Sequence, residues 1–444
     1  MKKQALWILA LAMAVRLAIA YFQNAPHDLA RAEMELAAIS LAQHGVLGNV
    51  YAFPTGASAH VAPGYAVILA AIFYLFGTSV IGETVKILVT CIISSTQYAL
   101  LPWFGKMLKL PKALGLSAGI IGALLPLNPY IEIQGDFENH LTALLLLLLL
   151  VWMEVFSDRA WNLREAVLSG LFLGVCALTS PVLLPCSLLA VVVIFASQVV
   201  IPAGRPRAMA ACALTAALVV SPWVVRNYLQ LGSPILTRST FGLEFHLANN
   251  PLASPLMTEN ARVFACCHPY FNVEEAKKVG QQGEVAYNRR LLHETVGWIR
   301  TNPKKFVQLV VEHVWFTWFP DAPQRLREIV LRMMTLLSWL GFLAIWRIRP
   351  KSALLLGFPL LVYPLPFYLL QVHLRYRYPI NFVILLTAMA GSAALYRAFR
   401  FGMQDRYRQS FCGLGQWEPV RVEMPFLPYK PGERVTIERS PSSP

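Results

Sequence analysis

Runs of roughly 17 to 24 residues with almost no charge recur along this chain, and they constrain its fold more than any motif does. The leucine-rich stretch from Leu141 to Val155 is the core of one of them, and the stretch from Ala208 to Val225 is another. Such lengths suit a hydrocarbon core of about 30 Å. In lipid a segment must satisfy its own backbone, so a crossing is made by a helix or by a closed barrel, and these runs read as helices. Composition agrees: 56% of the 444 residues are hydrophobic and 14% charged, whereas a soluble domain carries about 25% charged residues.

A formal net charge of +14 raises nucleic acid as a partner. The basic residues instead sit in small clusters between apolar runs, which is a topology signal and argues against a nucleic-acid partner. Short cytoplasmic loops are rich in Lys and Arg. On that rule Lys2 and Lys3, Lys106 to Lys112, Arg159 and Arg164, Arg205 and Arg207, Arg347 to Lys351 and Arg397 to Arg408 share one side. Spans near 4–21, 81–104, 112–127, 139–157, 165–181, 183–201, 208–225, 328–346, 352–371 and 378–396 make this consistent. The expectation is an all-α polytopic protein of the cell (inner) membrane with about ten transmembrane helices, the first a retained span rather than a signal peptide. Both termini are then cytoplasmic. Two large segments, 22–80 and 226–327, are extracytoplasmic. Gly64 to Phe76 and Phe306 to Phe319 are too short to span comfortably and are expected as interfacial helices among the membrane lipids. The tail 401–444, rich in Pro, Arg and Glu, is expected as a poorly ordered cytoplasmic extension of a 1–400 transmembrane domain.

Chemistry is expected on the outer face. Asp28, Glu33 and Glu35 place three carboxylates at the membrane mouth, where a low dielectric favours a general base; the same residues also fit a solvated loop helix whose acids pair with Arg31. Asp136, Glu138, Asn139 and His140 abut the leucine-rich span, as functional groups or as anchors and caps of that helix. Arg16 lies inside the first span, where a charge costs about 2.5–3.5 kcal/mol on insertion scales, so a partner is required. Arg226, Arg375 and Arg377 stand on the outer side against the charge rule, and guanidinium groups bind phosphate bidentately; snorkelling to the headgroups is the competing account. Of the seven cysteines, Cys91, Cys176, Cys186 and Cys212 fall in apolar runs and behave as small hydrophobes, so no disulfide framework is implied. Cys266, Cys267 and His268 are adjacent, but no second ligand pair lies at zinc-like spacing. No cofactor is required by these features, and a divalent metal is allowed without being indicated.

Several of these stretches occur together in a recognisable order. They are Glu33-Met34 through Gly45, Pro54-Thr55-Gly56 to Pro63-Gly64-Tyr65 with His60 inside it, Pro222-Trp223 with Arg226-Asn227-Tyr228, Phe241-Gly242-Leu243-Glu244 with Asn249-Asn250-Pro251, Ala286 to Arg289 with Trp298-Ile299 and Asn302-Pro303, and Arg375 to Pro379. Together they resemble the dolichyl-phosphate-mannose protein mannosyltransferase-like branch of the GT-C glycosyltransferases, above all its bacterial members, over about residues 1 to 400. The resemblance implies a polyprenyl-phosphate sugar donor, an envelope acceptor that is glycan, lipid or protein, an acid of the first outer loop as base, and the phosphate kept on the lipid. It places Glu33, Asp28 and Glu138 as catalytic candidates, with Glu33 favoured as base. Arg16, His60, Asp136, Arg226, Asn227, Asn249, Asn250, Arg375 and Arg377 become the substrate-binding candidates. The rival readings are a transporter or flippase, which predicts polar groups and broken helices at mid-bilayer, and a polymerase or ligase that moves a whole glycan from a similar donor.

Overall fold

The computed structural model describes residues 2–28, 30–157, 161–197, 205–322 and 324–411. The expected tail lies outside the described residues from 412 on, as do residues 158–160 and 198–204, the last of which include the end of the expected span 183–201. Among the described residues the architecture is all-α, with a single isolated bridge between Gly48 and Ala57 in place of any sheet.

Each apolar stretch read as a span or an interfacial segment holds a helix within its described residues. Among the described residues seven helices are long and apolar enough to cross a bilayer: Lys2–Phe22, Val80–Met107, Asn139–Phe156, Pro206–Leu231, Arg325–Ile348, Pro350–Leu369 and Leu374–Arg400. The chain is therefore an integral, multi-pass membrane protein. Three further expected spans are shorter helices, Lys112–Leu124 with 13 residues, Leu163–Thr179 with 17 and Leu183–Ser197 with 15. Proline explains two of these ends. Pro126 and Pro181 each follow within two residues of the last helical one, and proline disfavours helical backbone in the residue before it.

Small residues let the long helices approach closely. A side chain at Gly341 would bring a Cβ to 1.8 Å from the Thr387 carbonyl, and one at Gly391 to 2.0 Å from the Leu337 carbonyl, so helices Arg325–Ile348 and Asn381–Phe411 touch backbone to backbone. Ser338 and Thr387 share a hydrogen bond of 2.6 Å across the same contact. Outward, Leu214 and Leu218 on one helix and Leu336, Leu340 and Leu343 on another stay exposed, an apolar surface that suits lipid.

The two large segments expected outside the membrane build one body. Met34, Ala37 and Ala38 from helix Glu33–His44 and Tyr65 and Leu69 from helix Pro63–Phe76 share an apolar core with Leu243, Leu247, Tyr287 and Leu291 from the second segment. Helix Glu33–His44 starts where the Glu35 carboxylate accepts the Ala32 N–H at 3.0 Å, and ends at Gly45 with φ 70°. That first turn fixes where Glu33 points.

Candidate active site

Two polar groups sit where the long helices meet the outer body. Deep in the first span, Arg16 is fully buried and pairs with Glu132, which stands on the five-residue turn Tyr130–Gln134. Its remaining bonds go to the carbonyls of Gly122 at 3.1 Å and of Ala12 and Ala123 at 3.2 Å. Tyr98 Oη, at 3.3 Å, and the Asn128 N–H, at 3.1 Å, donate to the other Glu132 oxygen. Glu132 is the partner that the sequence demanded without identifying.

Further out, Lys86 projects from helix Val80–Met107 and binds three carboxylates: Glu35 at 2.6 Å, Glu83 at 2.8 Å and Asp136 at 2.8 Å. Arg31 pairs with Glu83, lies 3.4 Å from Glu35, and donates to the Thr78 carbonyl at 2.7 Å. This network ties the start of the first outer segment to the turn before the leucine-rich helix and sets the position of Asp136.

A cavity of about 820 Å³ opens beside that network. Four of the candidate residues line it, namely Asp28, Glu33, Asp136 and Arg375. Arg31, Glu244, His268, Arg327 and His373 line it too and were not among the candidates. Asp28 is exposed and accepts the Ala30 N–H at 3.1 Å. Glu244 is held by Gln371, whose Nε2 donates at 2.9 Å; burial and the nearby Glu33 charge push its carboxyl above the ordinary range. Arg375 stacks on Phe137 at 4.1 Å and on Tyr376 at 4.8 Å and donates to Tyr376 Oη at 2.7 Å. Arg327 donates to the Leu127 carbonyl at 3.0 Å. Among the described residues neither arginine has a carboxylate within 4.0 Å, and each keeps a buried Nε without an acceptor. The cavity thus presents acids and unneutralised guanidinium groups to the same space.

Glu33 sits between two imidazoles. Its Oε1 lies 3.1 Å from His60 Nε2 and 3.3 Å from His268 Nε2. Burial opposes the charge on Glu33, but the His60 and His268 rings outweigh it and hold the carboxyl well below the usual carboxylate range. Burial pulls His268 down to about 4, whereas the Glu33 charge outweighs burial at His60 and raises it. Behind His60, Tyr51 Oη lies 3.1 Å from Nδ1 and donates to Glu284 at 3.3 Å.

The other candidates stand away from the cavity lining. Arg226 donates to the carbonyls of Leu47 at 2.5 Å and Ser58 at 2.9 Å and to Asn227 Oδ1 at 2.9 Å, while Asn227 donates to the Ile235 carbonyl at 2.9 Å. Asn249 donates to the Phe245 and Leu369 carbonyls at 3.0 and 2.8 Å, and Asn250 to that of His246 at 2.9 Å. Arg377 is buried against Thr335 Oγ1 at 2.7 Å. Glu138 pairs with Arg238. Cys266 and Cys267, adjacent in sequence, form a disulfide just before His268, and Cys91, Cys176, Cys186 and Cys212 are free.

No protein-family model matches this chain, and no curated protein matches it. Its fold is similar to solved structures of an archaeal oligosaccharyltransferase, AglB from Archaeoglobus fulgidus. The complex of that protein with an inhibitory peptide and a dolichol-phosphate has a TM-score of 0.50 at 13% identity, covering 95% of this chain and 53% of that one. An Archaeoglobus fulgidus oligosaccharyltransferase in the apo form gives 0.51 at 13% identity, with 90% and 52% covered. The chain spans about half the length of these structures, and at such identity the likeness is one of fold.

Proposed function

We propose that the chain is a GT-C-type glycosyltransferase that moves a sugar from a polyprenyl-phosphate carrier to an envelope acceptor at the extracytoplasmic face of the membrane. The observation that carries this reading is one cavity bordered both by the carboxylates Asp28, Glu33, Asp136 and Glu244 and by Arg327 and Arg375, which among the described residues have no carboxylate within 4.0 Å. The fold's likeness to an oligosaccharyltransferase supports it, as does the order of motifs along the chain. In this reading the three shorter helices complete about ten crossings, both termini are cytoplasmic, and helices Pro63–Phe76 and Pro303–Trp318 lie at the interface.

The acceptor O–H attacks the anomeric carbon on the side opposite the phosphate. The new C–O bond forms as the C–O bond to the lipid phosphate breaks, so the centre inverts and the phosphate leaves as a monoester dianion on the carrier. Arg375 and Arg327 stabilise that dianion, since fixed donors in a water-poor site act most strongly where charge develops. The acceptor proton goes to a carboxylate. Glu33, the acid that the sequence favours, is fixed by two imidazoles and is a weak proton acceptor, so the role falls to Asp28, which faces the cavity without an ion pair. Glu33 then positions the acceptor, and Asp136, anchored by Lys86, bounds it.

The test is reconstitution in lipid with radiolabelled polyprenyl-phosphate sugars. Asp28→Asn is expected to lower transfer by about 10²–10⁴, the contribution of a general base. Full activity of Asp28→Asn moves the base elsewhere, and the absence of transfer from every lipid-phosphate sugar ends the proposal. The likeness to an oligosaccharyltransferase favours a second reading, transfer of a whole oligosaccharide, and the mass of the transferred unit in the same assay separates the two.

A further inference from the structure

The geometry points to a divalent-metal site formed by Glu33, His60 and His268, which takes a zinc-like ion and leaves one position open to the cavity. The three ligand atoms lie within 4.8 Å of one another. They come from distant points: the first turn of helix Glu33–His44, the stretch before Pro63, and the end of helix Met257–Cys267.

Two arrangements bring imidazole nitrogens this close to a carboxylate oxygen: N–H···O hydrogen bonds, or shared ligation of an ion. Distances of 3.1 and 3.3 Å fit both. Direction separates them. Glu33 Oε1 is buried and, among the described residues, accepts no hydrogen bond of good geometry despite two nitrogens within reach. Ligands on a tetrahedral ion with bonds of about 2.0–2.2 Å stand roughly 3.3–3.6 Å apart, within a few tenths of an ångström of both Glu33 distances. Two imidazoles and one carboxylate also make up the donor set of open zinc sites, in which a fourth position holds water or substrate. Glu33 and His268 line the cavity, so that position faces it.

The surroundings of His60 suit this role. Ligation through Nε2 requires the proton on Nδ1, where Tyr51 Oη at 3.1 Å accepts it while donating to Glu284. Glu284 is itself held by Ser58 Oγ, by the Ala59 N–H at 2.9 Å and by Ser239. A carboxylate-backed imidazole of this kind fixes ring and tautomer for a metal. His268 imposes a cost. The Tyr270 N–H donates to its Nδ1 at 3.1 Å, which keeps the ring proton on Nε2. Ion binding displaces that proton to Nδ1 and turns the Tyr270 amide away, so loading is coupled to the turn after His268.

The assignment does not depend on glycosyl transfer, because its test reads metal and not activity. The chelator-stripped protein in detergent is titrated with Zn(II) and, separately, with Co(II). Wild type is expected to take about one equivalent of zinc and to give the visible bands of four-coordinate cobalt. Tyr51→Phe is expected to weaken zinc by about 10- to 100-fold, the usual cost of losing an outer partner. His60→Gln and His268→Gln weaken it further, while His313→Gln, a buried histidine elsewhere, and Cys266→Ser with Cys267→Ser leave it intact. All variants are compared at matched size-exclusion profiles. Zinc binding in wild type no stronger than in the His60→Gln, His268→Gln double variant overturns the site, as does zinc that follows the cysteines instead of the histidines.

Discussion

Arg16 and Arg375 both lay a guanidinium over aromatic rings, Arg16 over Tyr98 at 4.9 Å and Arg375 over Phe137 at 4.1 Å. Their charges are treated differently. Arg16 is fully buried against Glu132 and three carbonyl groups, with no room for another anion. Arg375 has a phenol oxygen and ring faces, no carboxylate within 4.0 Å among the described residues, and a cavity before it. A charge taken out of water costs several kcal/mol unless it is paired. In the first span that cost is offset inside the chain. At the cavity only the more distant Glu244 and Glu33 charges act on Arg375, so in the proposed mechanism the first arginine is a fold determinant and the second a group that meets the departing phosphate.

The comparison breaks first at the core pair, where the largest effect is expected. Arg16→Met leaves Glu132 buried and unpaired, which costs about 3–5 kcal/mol, whereas replacing both partners by apolar residues of similar size is often neutral. The single variant is expected to melt well below wild type in detergent, and Arg16→Met with Glu132→Leu to recover most of the loss. A single variant as stable as the wild type contradicts the structural role of the pair.

The long helices were legible because lipid imposes a crude requirement, length without charge, that a sequence displays directly. Where the count departs from ten membrane-length helices, Pro126 and Pro181 end helices before they reach that length. The acids of the first large segment and Arg375 were legible by residue type and by their place at the ends of apolar runs, and Asp28, Glu33, Asp136 and Arg375 share the cavity. Partnerships were not legible, since Glu132 lies 116 residues from Arg16 and Glu284 lies 225 from Ala59. Lys86 did leave a signal, a lysine three residues after Glu83 within a largely apolar span, which marks a function or a fixed partner. His268 drew notice only for its place beside Cys266 and Cys267, and Arg327 gave no signal, because only the packing of the second large segment against the first brings them to Glu33 and Arg375. The disulfide between Cys266 and Cys267 also escaped an argument built on separated pairs.

A smaller effect is expected at Arg375. Arg375→Ala removes one donor to the departing phosphate and is expected to lower transfer by about 10²–10³, the range found for the loss of one such group. Its melting temperature should stay near that of wild type, because no acid is left stranded. Arg375→Lys keeps the charge but loses the planar fork and the stacking on Phe137, so most of the loss should persist. If Arg375→Ala instead melts like Arg16→Met, the two arginines share a structural role and the distinction between them fails.

Arg226 provides the finest test, because the sequence groups it with Arg375 and the structure groups it with Arg16. Its donors reach the Leu47 and Ser58 carbonyls and Asn227, and its guanidinium lies 5.0 Å from the Trp223 ring, away from the cavity lining. A lysine there keeps the charge and some of these bonds. Each lost bond to a charged donor costs about 1.5–3 kcal/mol of stability at most. Transfer by Arg226→Lys should therefore fall by less than about tenfold, or 1.4 kcal/mol, with a modest drop in melting temperature. A loss as large as that of Arg375→Ala at unchanged melting temperature would mean that Arg226 reaches the lipid phosphate during the reaction, and that the closing of the two outer segments over the cavity brings it there.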